Sequence, residues 1–238
     1  MAKIGITERG DAGLDFSWVS RLEEVDMVIV ISKELNDKLI AACVAFKEKV
    51  ILHLTVTGYG KTIVEPNAPS KEWSREQLDK LVEYGFPIEQ VVLRLDPIIP
   101  TPKGIATAKG VLQLFKDTEI QRCRYSFLDM YYHVKARMHS IGMPLPYDTF
   151  APPISMTSNA KVMLEEFRGR YEFEACAEKT IDKLACISWK DTNLINPSIA
   201  LFGNSLQRGS CECPSNKLEL LENAKRCAHG CIYCYWKD

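Results

Sequence analysis

Short apolar, β-branched runs alternate along the chain with longer stretches whose apolar positions recur at helical spacing. Runs at residues 3–7, 27–31, 50–56, 91–95, 123–128 and 171–176 are nearly continuous in apolar character, the pattern of strands buried on both faces. Between them, residues 15–24, 33–47, 74–84, 104–116, 130–139 and 159–168 read as helices, with Ser74 and Gln77 as a capping box for the third. Repeated strand–helix units predict an α/β fold with a parallel sheet, either open or closed into a barrel.

Turn chemistry separates the units. Thr57-Gly58-Tyr59-Gly60-Lys61 follows the third strand, Glu65-Pro66-Asn67 lies just beyond, and Asp96-Pro97 closes the fourth. Residues 143–153 are rich in proline and must run as extended loop. After Asn193 the periodicity fades into turn residues and cysteines. Residues 1–192 therefore read as the barrel-forming part, and 193–238 as a cysteine-rich tail packed on it within one functional domain.

Composition narrows the function. The 238 residues are 46% hydrophobic with a formal net charge of -1, so a large core is expected and no global basic field draws in nucleic acid. No apolar run approaches the length that spans a bilayer, and no secretory h-region opens the chain. Both features point to the cytosol and to no membrane partner. In a reducing compartment, nine cysteines speak for metal or catalysis rather than disulfides.

Five of the nine cysteines fall in the last 28 residues. Cys227, Cys231 and Cys234 form a Cys-x3-Cys-x2-Cys triplet. Three thiolates on a four-iron cube leave one iron without a protein ligand, where S-adenosylmethionine can chelate; a fourth ligand would suit plain electron transfer. Tyr233 precedes the third cysteine, and Gly230 relaxes the backbone before Cys231. Two alternatives stay open: a conventional cluster, and a zinc site in which Cys211 and Cys213 join members of the triplet, with His229 as a further candidate. Cys43 and Cys123 read as small core residues.

The segments Leu54–Lys61 with Glu65-Pro66-Asn67, Arg94–Ile99, Ser126–Tyr131, Cys176-Ala177-Glu178, and Gln207–Cys213 leading to the terminal triplet together resemble the bacterial and viral domain of unknown function family 1848. The family's early arginine-rich turn stands here as Thr7-Glu8-Arg9-Gly10-Asp11. The resemblance implies a radical-SAM-like partial (β/α) barrel of about six parallel strands, with a [4Fe-4S] extension at the C-terminus. It implies an enzyme that cleaves S-adenosylmethionine with an electron from a donor such as flavodoxin or ferredoxin.

Roles follow for polar residues at strand ends. Arg94 is a candidate partner for the methionine carboxylate, with Asp96 or Glu178 for its ammonium or the ribose, and Ser126 for ribose. Thr57 and Tyr59, with Lys61, would form a polar loop at the mouth, and Tyr233 would contact the cofactor. Asp129, Tyr131 and Cys176 are the candidates for acting on substrate, and Tyr132 and Tyr235 for stacking on it. The substrate is expected to be a small molecule, a nucleotide or DNA, with isomerisation of an amino-acid-modified thymine in viral DNA as one candidate reaction. Arg122, Arg124, Arg137, Arg168 and Arg170 read either as phosphate contacts or as solvated surface. An iron–sulfur redox or sensor protein and a zinc-stabilised binding module are the competing classes.

Overall fold

The computed structural model describes residues 2–178, 180–203, 211–222 and 225–237. Its seven strands are β1 (Ile4–Ile6), β2 (Met27–Ser32), β3 (Val50–Thr55), β4 (Val91–Ile98), β5 (Arg122–Phe127), β6 (Glu172–Ala175) and β7 (Lys217–Glu219). They form one sheet in the order β6-β5-β4-β3-β2-β1-β7, and every pairing is parallel. The first six strands lie side by side in chain order, as in a (β/α) barrel. The sheet stays open because its edges, β6 and β7, do not pair with each other.

Sequential order with crossovers of one hand puts the connecting helices on one face. These are α1 (Asp37–Ala45), α2 (Lys71–Glu83), α3 (Pro102–Phe115) and α5 (Ile154–Glu165), while α4 (Tyr132–Ser140) packs through Val134 and Met138 with Leu128, Cys231 and Tyr233 in a separate cluster. Leu39, Leu81, Phe115 and Ala160 join Val30, Leu52, Leu93 and Tyr125 in the main core. The expected segment 15–24 is a 3-10 helix over Ser17–Glu24. The cap of α2 is Ser70, which accepts from the Trp73 N–H at 3.2 Å, so Ser74 lies inside the helix and donates to the Ser70 carbonyl.

The opposite face carries Ile4, Ile6, Met27, Ile29, Ile51 and Val92. The connection from β6 to β7 crosses it, and α6 (Trp189–Ile195) is part of that connection. Ile187, Ile199, Cys186 and Cys213 cover the apolar face. A capping box between Ser188 and Asp191 starts α6. The helix is docked by charge: Arg122 pairs with Asp191 at 2.8 Å and with Glu174 at 2.8 Å, Arg124 pairs with Glu174, and Lys190 reaches Glu174 at 3.3 Å. The boundary expected at 192/193 therefore falls inside a helix, and the tail contributes β7 to the sheet itself.

Burial corrects both readings for three of the arginines, while exposed Arg168 lies on the solvated surface as expected. Arg122, Arg124 and Arg137 are buried. Arg168 pairs with Glu165 and Asp182, and Arg170 donates to the carbonyls of Lys116, Thr118 and Ile120. All five are engaged within the protein.

On β7, Glu219 accepts from the N–H groups of Glu8 at 3.1 Å and Leu221 at 3.0 Å. Burial, ahead of repulsion from Glu8, pushes its carboxyl up to about 7 from the ordinary 4.5. The folded state then holds a proton that the unfolded chain has released, so stability falls as pH rises from about 4.5 to about 7. Glu219→Gln is expected to flatten that part of the stability–pH curve, measured by urea denaturation at each pH. A curve parallel to wild type would overturn the assignment.

Candidate metal centre

A cavity of about 920 Å3 opens at the carboxyl ends of the strands, at the upper end of the roughly 300–1,000 Å3 usual for small-molecule sites. That rim gathers the side chains with which successive parallel strands end. Arg94 and Asp96 come from β4, Ser126 and Asp129 from β5 and its exit, and Cys176 and Glu178 from the exit of β6. Cys227, Cys231 and Cys234 line the same cavity. Tyr131 and Tyr233 line it as well, whereas Thr57 and Tyr59 do not.

The triplet sits on two consecutive tight turns. The Gly230 N–H donates to the Cys227 carbonyl at 3.2 Å, and the Cys234 N–H donates to the Cys231 carbonyl at 3.2 Å. Gly230 has φ +67°, a conformation a side chain would strain. Cys231 is buried, and Cys227 and Cys234 are half-buried.

Distant residues fix this loop in place. The Asn67 amide donates to the Ala228 carbonyl at 2.8 Å, the Asn67 N–H to the His229 carbonyl at 3.2 Å, and the Ile232 N–H to the Val64 carbonyl at 3.0 Å. Arg137 on α4 holds the carbonyls of Cys234 and Trp236, each at 2.5 Å. Buried His229 pairs through Nε2 with Asp11 at 2.9 Å. Asp11 also accepts from Ser32 Oγ at 2.5 Å and the Lys33 N–H at 2.7 Å. Burial opposes charge on both partners, but their mutual bond prevails, lowering the Asp11 carboxyl and raising the His229 imidazole.

Glu65 is a second anchor. Its carboxylate accepts from Thr57 Oγ1 at 2.5 Å and from the Tyr233 hydroxyl, and it faces Lys33 Nζ at 3.1 Å. Thr57 therefore serves from behind the cavity wall, through Glu65 and Tyr233. Tyr59 is buried among Val64, Ile99 and Leu128.

Around the rim, Arg94 pairs with Asp96, and the Ser126 hydroxyl donates to the same carboxylate. Glu178 accepts from the Phe127 N–H at 2.8 Å; burial, ahead of the nearby Asp129 and Asp96 charges, pushes it up to about 7. The Tyr131 ring stacks on His133 at 5.5 Å and meets Phe150 edge-on at 4.9 Å. Tyr235 joins the rim, its hydroxyl donating to the Glu8 carbonyl at 3.0 Å, while Tyr132 is 89% exposed and outside it.

Cys211 and Cys213 also line the cavity, but they pack with Cys186 on the opposite face of the sheet, whereas Cys231 and Cys234 pack in a different cluster. The preceding motif residues, Gln207 to Ser210, lie outside the described residues. Cys43 and Cys123 are fully buried in the main core, as expected.

The donor set bears on which group fits the triplet. Among the described residues, no three His, Cys, Asp or Glu side chains already surround one ion position. A cubane makes no such demand, because each thiolate binds a different iron. All-thiolate donors on a short anchored loop, open to a large cavity, fit an iron–sulfur cluster.

Fold and site together define an α/β protein with a single all-parallel sheet and a cysteine-lined cavity at the carboxyl ends of its strands. The DUF1848 family model, described as a domain of unknown function, matches residues 16–236, and the chain belongs to that family. No curated protein and no solved structure matches it. Among the described residues, no helix is long and apolar enough to cross a membrane.

Proposed function

We propose that the protein is a radical S-adenosylmethionine enzyme. One observation carries the reading: Cys227, Cys231 and Cys234 line the same cavity as Arg94, Asp96, Ser126 and Glu178. When bound by the triplet, a [4Fe-4S] cluster would supply the electron that cleaves S-adenosylmethionine and yields a 5′-deoxyadenosyl radical. The chain's own residues would position the reactants and exclude water. Arg94 would exchange part of its pairing with Asp96 for the methionine carboxylate. Asp96 and Ser126 would then turn toward the ammonium or ribose. Glu178, titrating near neutrality, could donate or accept a proton at its carboxyl oxygen.

Asp129 and Tyr131 would face the substrate, a compact molecule with a planar part that Tyr131 or Tyr235 could stack against. A nucleobase satisfies that description, free or in DNA. Buried and engaged, Arg122, Arg124 and Arg137 supply no phosphate-binding surface for the DNA form. The one-electron donor would be a flavodoxin or ferredoxin, approaching the exposed side of the triplet. The separation of Cys211 and Cys213 from the triplet weighs against one zinc site built from both groups.

The test is anaerobic reconstitution with iron and sulfide, then addition of dithionite and S-adenosylmethionine. Formation of 5′-deoxyadenosine is expected; a reduced cluster that leaves S-adenosylmethionine intact would overturn the reading. Arg94→Ala is expected to weaken S-adenosylmethionine binding by about 2 kcal/mol, roughly thirtyfold, with iron content unchanged. Titration followed by electron paramagnetic resonance measures it. Unchanged affinity would remove Arg94 from the site.

A further inference from the structure

Four cysteines outside the triplet meet at one place. Cys176 leaves β6 and Cys186 follows ten residues later, their Sγ atoms 3.0 Å apart. Cys186 and Cys213 are buried in one cluster on the same face of the sheet, Cys176 and Cys211 pack against that cluster, and all four line the same cavity. Cys211 and Cys213 arrive from elsewhere in the chain, in the Cys211-Glu212-Cys213-Pro214 stretch that enters β7. Since β6 and β7 are the unpaired edges of the sheet, thiols leaving one edge meet thiols entering the other. The gap that backbone hydrogen bonds leave open is spanned by sulfur.

Small apolar packing does not account for this arrangement. Cys43 and Cys123 show what a packing cysteine looks like here: each is enclosed in the main core. The other four gather together on the opposite face of the sheet, with Cys176 and Cys186 in thiol contact. Fully buried Arg124 lies beside them and donates to the Ala185 carbonyl at 2.5 Å, next to Cys186. The positive charges of Arg94 and Arg124 both act on Cys186. Buried cations beside clustered thiols suit the net negative charge of a tetrathiolate site.

We propose that Cys176, Cys186, Cys211 and Cys213 bind one divalent ion in four-thiolate coordination, zinc or ferrous iron, which ties the two open edges of the sheet together. Such closed all-cysteine sites are structural and couple ion binding to folding. Among the described residues the sulfurs do not already surround one ion position, and Cys176 and Cys186 stand at 3.0 Å. At about 2.3 Å from a tetrahedral ion they would stand about 3.8 Å apart, so the closest pair must open by under about 1 Å. A four-iron cube would push them much farther apart. The proposal goes beyond the radical reading and does not depend on it.

The test uses the full chain with Cys227, Cys231 and Cys234 all replaced by alanine, purified without oxygen. Mass spectrometry of metals is expected to find about one zinc or iron per chain, with no inorganic sulfide. Adding Cys186→Ser is expected to lower that to under about a tenth of an ion. Should that variant fail to fold, alkylation of the parent triple variant serves instead: four thiols are expected to react only after a chelator is added. Cobalt loaded in place of the native ion should show tetrahedral bands with thiolate charge transfer. A folded, metal-free triple variant would overturn the proposal. So would metal retained after Cys186→Ser, several irons with sulfide, or a Cys176–Cys186 disulfide. The triple variant forms no 5′-deoxyadenosine under any of these outcomes, so the result stands apart from the radical reading.

Discussion

Cys231→Ala protein, reconstituted without oxygen, is expected to lose about four irons per chain, together with the acid-labile sulfide and all formation of 5′-deoxyadenosine. Cys231 is the buried member of the triplet and sits at the junction of the two turns. Two remaining thiolates cannot hold a cubane in place. Sulfide is the discriminating readout, because a lone ion bound by Cys176, Cys186, Cys211 and Cys213 brings none. Cys43→Ala is the matched control, since it removes an equally buried thiol from the core behind the sheet. Undiminished sulfide in Cys231→Ala would remove the triplet from the centre and the radical chemistry with it.

Much of this arrangement was legible in the sequence because it rests on local pattern. β1 to β3 were readable as short, near-continuous apolar runs, and the burial of β2 and β3 on both faces is what such runs mean, whereas β5 and β6 alternate as Arg-Cys-Arg-Tyr-Ser-Phe and Glu-Phe-Glu-Ala. The strand-end residues Arg94, Asp96, Ser126 and Glu178 were readable because parallel strands deliver their ends to one rim. β7 carried no such signal: it has three half-buried residues, Lys-Leu-Glu, and exists only because β1 offers an edge in register. α6 was hidden in the same way, since its seven residues are held by buried charge rather than by an apolar stripe.

The supports of the triplet were hidden for a different reason. Asp11 and His229 are 218 residues apart, and Glu65 and Tyr233 are 168 apart. No periodicity links such positions. The motif Glu65-Pro66-Asn67 was visible as a motif, but its work became apparent only when the fold brought it beneath the cysteine loop. Thr57 shows the same limit from the other side: a polar residue at a strand end, it turns away from the cavity and serves Glu65. The arginines of β5 were misread because alternation cannot distinguish solvent from a face covered by a distant segment. The β6–β7 connection covers that face and brings the carboxylate of Asp191 with it.

Glu65→Ala is expected to be the most destabilising single change at the site. The Glu65 side chain is 3% exposed and faces Lys33, whose side chain is 13% exposed. Removing the carboxylate strands that ammonium and deprives the Thr57 and Tyr233 hydroxyls of their acceptor. Breaking a buried pair in this way costs about 3–5 kcal/mol. At roughly 2–4 °C per kcal/mol for a chain of this size, the melting temperature of metal-free protein should fall by about 6–20 °C. Lys33 also faces Cys231, so thiolates gathered around a cluster would give the ammonium a second partner. The loss should therefore be smaller after anaerobic reconstitution than before it. Lys33→Met added to Glu65→Ala should recover part of the metal-free loss, because it removes the stranded charge. Differential scanning calorimetry of wild type, Glu65→Ala, Lys33→Met and the double variant, with and without reconstitution, measures both effects. A loss that is equal in the two states would separate Lys33 from the cysteine loop, and a drop of under about 3 °C would show that Glu65 is not its anchor.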